Sequence, residues 1–404
     1  MTINAIPAHP AGFGEGLSET ELRRIRGRTA LQQPLWDDLE LVDKVRTELG
    51  QRPPLVDPYD VRTLTCLLAE AAAGLVQVVQ AGDCAEDFEE CFTGHILRKA
   101  ALLDALAGVM ALSSARQVIQ VGRFAGQFGK PRSNPTETID GVELPVYRGH
   151  LVNRPEPTRR ARRADPQRML LGYDAAAGAM DALRTRAASR VAAPVWTSHE
   201  ALVLDYELPL VRRDDRGELL LTSTHWPWIG ERTRQVDGAH VELLASVANP
   251  VACKVGPGMR PAELLALCER LDPRRTPGRL TLIARMGADK VADVLPGLVR
   301  AVRGAGHPVI WLTDPMHGNT VTAPGGLKTR LVTTVVREVE AFQQAVTEGG
   351  GVAAGLHLET TPRDVTECVA DAVHAERCGE RYLSFCDPRL NSDQALEVAA
   401  AWHM

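Results

Sequence analysis

The chain has 404 residues, enough for one large α/β domain with extensions or for two smaller ones. Its 46 basic and 51 acidic residues leave a net charge of −5, which gives no overall field for nucleic acid or an anionic membrane surface. No uncharged apolar run approaches the about 18 residues of a membrane span, and residues 1–16 lack the basic and apolar regions of a secretory signal, so a cytoplasmic protein is expected.

Eight cysteines are scattered without a CxxC pair, which in a chain of this length favours reduced, mostly buried thiols. In chain order, Ser18-Glu19-Thr20-Glu21 has the spacing of a capping box, and the segment from there to about residue 52 reads as helix interrupted at Gln33-Pro34. Residues 1–65 are therefore expected to form a helical N-terminal extension, and residues 66–404 the main domain. After a helical stretch at 59–73, residues 74–80 read as the first core strand, ending in Asp83, Cys84 and Glu86. A helix at 92–112 leads to a second strand at 117–121, which ends in Arg123 and a loop carrying Lys130 and Ser133. The connection from 133 to about 168 reads as a polar loop. Its run Arg159-Arg160-Ala161-Arg162-Arg163 could suggest nucleic acid, but no aromatics accompany it for stacking, so a solvated loop is favoured. A third strand at 194–196 follows.

From there the pattern becomes regular. Strand candidates begin near Leu221, Val251, Leu280 and Pro308, spaced by 30, 29 and 28 residues, and an eighth lies at 351–358. One strand, one helix and two short loops need roughly 30 residues, so eight units imply an α/β fold, a closed (β/α)8 TIM barrel. A doubly wound sheet is the alternative. No GxGxxG follows a strand, and Gly129-Lys130 lacks the rest of a phosphate-binding loop.

The C-terminal strand ends are where such a fold collects its chemistry. Arg123, Lys130, Arg232, Lys254 and Arg285 form a cationic set suited to phosphate and carboxylate groups. Cys84, His317, Glu359 and Asp387 form a mixed sulfur, nitrogen and oxygen set suited to one divalent transition metal. Taken singly, Cys84 reads as a buried thiol and Lys254 as a surface charge; convergence at one rim is what gives them meaning.

The stretches at 80–86, 122–133, 147–150, 228–234, 314–320 and 386–391, with Ser223 to Trp228 and Gly355 to Thr361, carry a resemblance. They resemble the type II (plant-type) 3-deoxy-D-arabino-heptulosonate 7-phosphate (DAHP) synthases, most closely the short bacterial members of phenazine-type secondary metabolism. The resemblance runs from about residue 31 to 391. It implies metal-dependent condensation of phosphoenolpyruvate with erythrose 4-phosphate, releasing phosphate, at the entry to aromatic biosynthesis. It implies that Cys84, His317, Glu359 and Asp387 hold the metal, with manganese favoured over cobalt, magnesium or zinc. It assigns phosphoenolpyruvate to Arg123, Lys254, Arg285 and the Glu231-Arg232 segment, and the second substrate's phosphate to Lys130, Ser133 and Arg232. Glu231 or Lys254 would orient the water that adds at C2; the sequence does not choose.

Two other classes stand beside this reading. A metal-dependent phosphohydrolase would show a carboxylate-rich two-metal set, and one set of four is evident. A non-catalytic pathway partner would have lost a ligand or an arginine, and none is missing. Three further expectations follow: a homo-oligomer, with a dimer favoured; a Cys84–Cys386 disulfide in metal-free protein, weighed against Cys386 pointing into the core; and one or two short helices at 167–192, too small to line a pocket for an aromatic effector.

Overall fold

The computed structural model describes residues 13–189 and 192–403, so the expectations for residues 1–12 lie outside it. The chain divides into two compact units: residues 1–62, 85–97 and 124–249 in the first, and residues 63–84, 98–123 and 250–404 in the second. The fold is mixed α/β with eight parallel strands, of the (β/α)8 class. They are β1 (Gln77–Gly82), β2 (Val118–Arg123), β3 (Val195–Thr197), β4 (Trp228–Ile229), β5 (Val251–Val255), β6 (Leu280–Ala284), β7 (Ile310–Thr313) and β8 (Ala353–Glu359).

Six of these strands lie in the second unit, in the order β2-β1-β8-β7-β6-β5, all parallel. β1 and β5 to β8 are buried along their whole length, as a parallel sheet covered by helices requires. The covering helices are apolar on one stripe. In Val291–Gly304 the buried positions are Val291, Leu295, Pro296, Leu298, Val299 and Val302; in Val332–Glu348 they include Val332, Val335, Val339, Phe342 and Val346. Register sets the functional edge. Gly82 pairs with Arg123 on one side and Glu359 on the other, Ile283 pairs with Lys254, and Ala284 pairs with Thr313. The residues that follow therefore emerge at one level.

Gly82 is required where it stands. Its φ is +148°, and a Cβ there would lie 2.8 Å from the Arg123 carbonyl oxygen. That close approach lets Asp83 N–H donate to Arg123 O at 3.2 Å and aims Cys84 off the strand end.

In the first unit, the capping box at Ser18 forms as read. The Ser18 hydroxyl accepts from Glu21 N–H and the Glu21 carboxylate accepts from Ser18 N–H. Helix extends over Glu19–Arg26 and Leu39–Gln51, leaving a break longer than Gln33-Pro34 alone. β3 and β4 are joined by Trp226 N–H to Thr197 O and by Trp228 N–H to His199 O.

Three expectations change. The run at Leu221 is not the fourth parallel strand: Leu219–Leu221 pairs antiparallel with Val211–Arg213, and the strand is Trp228–Ile229. The turn Asp214 to Gly217, with Gly217 at φ +77°, folds that run back on its predecessor. The loop after Ser133 contains a hairpin, Thr136–Ile139 against Val142–Pro145, closed by Asp140-Gly141 with both φ angles positive. Arg162, inside the basic run, is buried and bound to Glu137, so this part of the run is internal packing, neither a solvated charge nor a nucleic-acid contact. The segment read as one or two short helices is a single helix of 21 residues, Arg168–Ala188, seated on Met169, Gly172, Tyr173, Ala176, Ala179, Met180 and Leu183.

Substituting Gly82→Ala should cost about 1–3 kcal/mol through strain and clash at the β1–β2 edge. A chemical denaturation midpoint measures it, and an unchanged midpoint would mean that the strand end relaxes without penalty.

Candidate active site

The loops after β1 and β7, the end of β8 and the segment before helix Ser392–Ala400 bring one group of donors together. Ligand atoms of Cys84, Glu359 and Asp387 all lie within 4.8 Å of one another. Cys84 Sγ is 3.8 Å from Asp387 Oδ2, and His317 Nε2 is 3.2 Å from Glu359 Oε1. A thiol, two carboxylates and an imidazole nitrogen in this space fit one borderline-soft divalent ion. Of the four residues singled out in the sequence, Cys84, Glu359 and Asp387 form one group, and His317 lies beside Glu359 outside it.

Their neighbours fix their roles. The Asp314 carboxylate accepts from the backbone N–H groups of Met316 and His317 and lies 2.8 Å from His317 Nδ1. That contact fits an imidazole proton on Nδ1 facing Asp314 and turns Nε2 to the side of the donor group, where its lone pair could serve a cation. Burial opposes ionisation of Asp314, but His317 and Lys254 overcome it and hold its carboxyl well below the usual range.

Four cations stand around these acids. Arg123 Nη2 donates to Glu359 Oε1 at 3.0 Å, and Arg330 Nη1 to Glu359 Oε2 at 2.8 Å. Burial alone would lower the Arg330 pKa; Glu359 more than compensates and raises it. Lys254 Nζ donates to Asp314 and lies 2.7 Å from His357 Nε2, while Arg123 Nη1 lies 2.8 Å from the same nitrogen. Two donors on Nε2 require His357 to be neutral with its proton on Nδ1, facing Gln80 Oε1. Burial, then Lys254 and Arg123, keep its pKa well below the usual imidazole value. Burial likewise pulls the Lys254 ammonium down to about 8, against the opposing effect of Asp314.

Arg285 differs from the other three. It is half-buried, it donates to His317 O at 3.4 Å, and it has no carboxylate partner among the described residues. A half-buried guanidinium without an acid partner is poised for an external anion.

The remaining candidates lie in the first unit. Glu86 accepts from the backbone N–H groups of Ala125, Gly126 and Gln127 at 2.8–3.1 Å and so shapes the loop that leads to Lys130. Lys130 is buried, with its N–H bound to Arg148 O. Arg232 Nη2 donates to Ser133 Oγ at 2.6 Å, and Arg234 Nη2 to Glu231 Oε1 at 2.8 Å. Ser133 and Arg232, both assigned by the resemblance to the second substrate's phosphate, thus contact each other.

Residues 20–194 and 187–402 match the model of the Class-II DAHP synthetase family. The chain belongs to that family. It is 55% identical to a probable phospho-2-dehydro-3-deoxyheptonate aldolase of Pseudomonas fluorescens, covering 95% of this chain and 97% of the relative. It is 39% identical to the phospho-2-dehydro-3-deoxyheptonate aldolase of Streptomyces coelicolor, with 99% and 98% covered. The corresponding Mycolicibacterium smegmatis protein is 37% identical, with 92% and 91% covered. Phospho-2-dehydro-3-deoxyheptonate aldolase and DAHP synthase are two names for one activity.

Within this Class-II DAHP synthetase chain, sequence reasoning missed the inner supports. Arg330, Gln80 and the chain Lys99–Asp83–Arg389–Glu367 are buried ionic or amide groups, with Arg389 Nη1 2.9 Å from Asp83 and Nη2 2.9 Å from Glu367. Glu367 Oε1 also accepts from the N–H groups of Leu383 and Ser384, which seats the segment carrying Asp387. A usable signal existed in Asp83 and Arg389, each one or two residues from a metal-type ligand. Cys386 is half-buried and its N–H donates to Ser384 Oγ, so its backbone is held by the same segment.

Asp314→Asn should weaken binding of a divalent ion by about 10–100-fold, because the imidazole loses the acceptor that orients it. Cys84→Ser should weaken it as well. Competition with a coloured chelator measures both, and an unchanged affinity in either variant would remove that residue from the site.

Proposed function

We propose that this protein is a DAHP synthase, condensing phosphoenolpyruvate with D-erythrose 4-phosphate to DAHP and phosphate. The observation that supports this most directly is the Cys84–Glu359–Asp387 donor cluster, with His317 beside it, set among Arg123, Lys254 and Arg285. Residues 66–404 would carry the chemistry and residues 1–65 a helical extension. A divalent ion held by Cys84, His317, Glu359 and Asp387, with manganese favoured, would supply a Lewis acid for the aldehyde oxygen of the sugar phosphate.

The chain's own groups do the rest. Arg285 takes the phosphoenolpyruvate phosphate, being the cation with least internal neutralisation. Arg123 and Lys254 hold the carboxylate and stabilise negative charge as it shifts during attack by C3. Lys254 Nζ, with a pKa of about 8, stays charged at neutral pH yet can give up a proton, so it or Glu231 orients the water added at C2 before phosphate leaves. Lys130, Ser133 and Arg232 take the phosphate of the aldose. The protein would act in the cytoplasm, as a homo-oligomer, with a dimer favoured, supplying secondary metabolism.

Mixing both substrates with manganese and following phosphate together with heptulosonate tests the reading. Phosphate release without heptulosonate would mark a phosphohydrolase, and neither product would mark a non-catalytic partner. Arg285→Ala should lose about 1.5–3 kcal/mol of phosphoenolpyruvate affinity with metal affinity nearly unchanged. Lys254→Ala should lose a similar amount and also destabilise the fold, since Asp314 loses its cation.

The pH dependence has a definite sign. The Lys254 ammonium is depressed to about 8, so it is charged below that pH and lost above it. In the wild type, kcat/KM for phosphoenolpyruvate should fall as pH rises through about 8, and Lys254→Ala should lack that inflection. A flat profile up to pH 9 would assign anion binding elsewhere.

The helix Arg168–Ala188 seats its apolar side in the core and adds no second helix beside it within 167–188. Activity should accordingly respond little to phenylalanine, tyrosine or tryptophan, alone or in pairs at saturation. Strong inhibition by any of them would reveal a pocket that this segment does not suggest.

A further inference from the structure

Helix Val332–Glu348 carries one acid on its buried stripe. Glu338 is fully buried between Val335 and Val339, where the pattern calls for an apolar residue. Burial pushes its carboxyl up to about 7, against the pull of the Gly287 N–H. A carboxylate kept in that position needs donors, and it has three, from two different loops.

Glu338 Oε1 accepts from the N–H groups of Met286 and Gly287, at 3.1 and 2.9 Å, in the loop after β6. Glu338 Oε2 accepts from Asn319 Nδ2 at 2.5 Å, in the loop after β7. Asn319 is itself fixed, donating to Pro315 O at 2.8 Å and accepting from Ala288 N–H at 3.0 Å. The two loops also touch directly. A Cβ on Gly318 would lie 2.4 Å from Gly287 N, and Gly287 holds φ +84°. Arg285 is one residue before the Glu338 contacts in the first loop, and His317 is two residues before Asn319 in the second.

We propose that Glu338 is a positioning residue that ties the anion-binding loop of Arg285 to the metal-ligand loop of His317, fixing the two relative to each other. This rests on the assignment of Arg285 and His317 given under the proposed function. The argument is one of hydrogen-bond chemistry. All of Glu338's partners are donors, so only an acceptor on both oxygens satisfies them. Glutamine has the same shape but places an NH2 against either Asn319 Nδ2 or the two backbone N–H groups. Asn319 cannot flip to help, because it would then lose both Pro315 O and Ala288 N–H. One of the two loops must therefore come loose in Glu338→Gln, and both sites should feel it. A carboxylate that only stabilised the core would change the melting temperature and leave ligand affinities alone.

The test compares wild type, Glu338→Gln and Asn319→Ala, which breaks the same tie from the other loop and covers the case in which the first variant does not fold. Glu340→Gln, an exposed acid on the same helix, is the control. Calorimetry gives the affinities for inorganic phosphate and for Mn2+, each alone; melting temperature and the KM values for both substrates are measured beside them. The expected result is a rise of about tenfold in the phosphate and Mn2+ dissociation constants and in KM for phosphoenolpyruvate. The Glu340→Gln control should stay at wild-type values. Dissociation constants within twofold of wild type in both variants, whatever the melting temperature, would overturn the proposal. So would an effect on one ligand alone, since the tie would then not join the two loops. A wild type that binds Mn2+ and phosphate but makes no heptulosonate would overturn the functional reading while the affinities still judge Glu338. A wild type that binds neither would overturn both.

Discussion

One carboxylate organises the centre. Glu359, fully buried at the end of β8, receives Arg123 on one oxygen and Arg330 on the other, and lies 3.2 Å from His317 Nε2. Two guanidinium groups and a carboxylate out of water are tolerable only when each is satisfied by the others, because an unpaired buried charge costs several kcal/mol. The pairing is possible because register places Arg123 and Glu359 on either side of Gly82, and Arg330 follows on the loop beyond β7. Removing Glu359 would therefore leave two buried cations facing each other as well as an incomplete donor set. The sheet and the site depend on the same contact.

A second set of charges repeats the logic one strand away. Lys254 and Arg123 both point at the unprotonated nitrogen of His357, and Asp314 takes Lys254 on one side and His317 on the other. Each imidazole is thereby given a tautomer: His357 with its proton turned to Gln80, His317 with its proton turned to Asp314. Neutral His357 acts as a spacer that lets two cations approach one region without a counter-charge between them. Further out, Lys99, Asp83, Arg389 and Glu367 form a buried ionic chain under the segment of Asp387. Asp83 and Arg389 each lie within two residues of a metal-type ligand, so rigidity at the donors is built from charges directly beneath them.

Much of this was legible in the chain and some was not, for physical reasons. The regular spacing of apolar runs reports β5 to β7 because each is a fully buried strand followed by a helix. The same rule failed at Leu221, where the turn from Asp214 to Gly217 folded an equally apolar run into a hairpin, and the two-residue β4 was too short to leave a pattern. Cys84, His317, Glu359 and Asp387 could be singled out only as a set expected at one rim, since each taken singly reads as an ordinary buried or surface group. Arg330 and Glu338 could not, since one follows a short hairpin and the other hides at a helix position that periodicity assigns to the core. Periodicity reports burial; it does not report which buried position holds an acid.

The charge balance also explains why Arg285 matters more than its modest contacts suggest. Arg123 and Arg330 are already committed to Glu359, and Lys254 to Asp314, so those cations enter any substrate complex partly neutralised. An arriving anion must compete with the carboxylates for them, and gains less than the bare number of positive groups implies. Arg285 has no such competitor among the described residues, and its guanidinium is held only at 3.4 Å by a carbonyl. Full charge-assisted bonding is therefore available to a phosphate there at the least loss of existing contacts. Three of these four cations are thus held by carboxylates, and Arg285 is the one that is not.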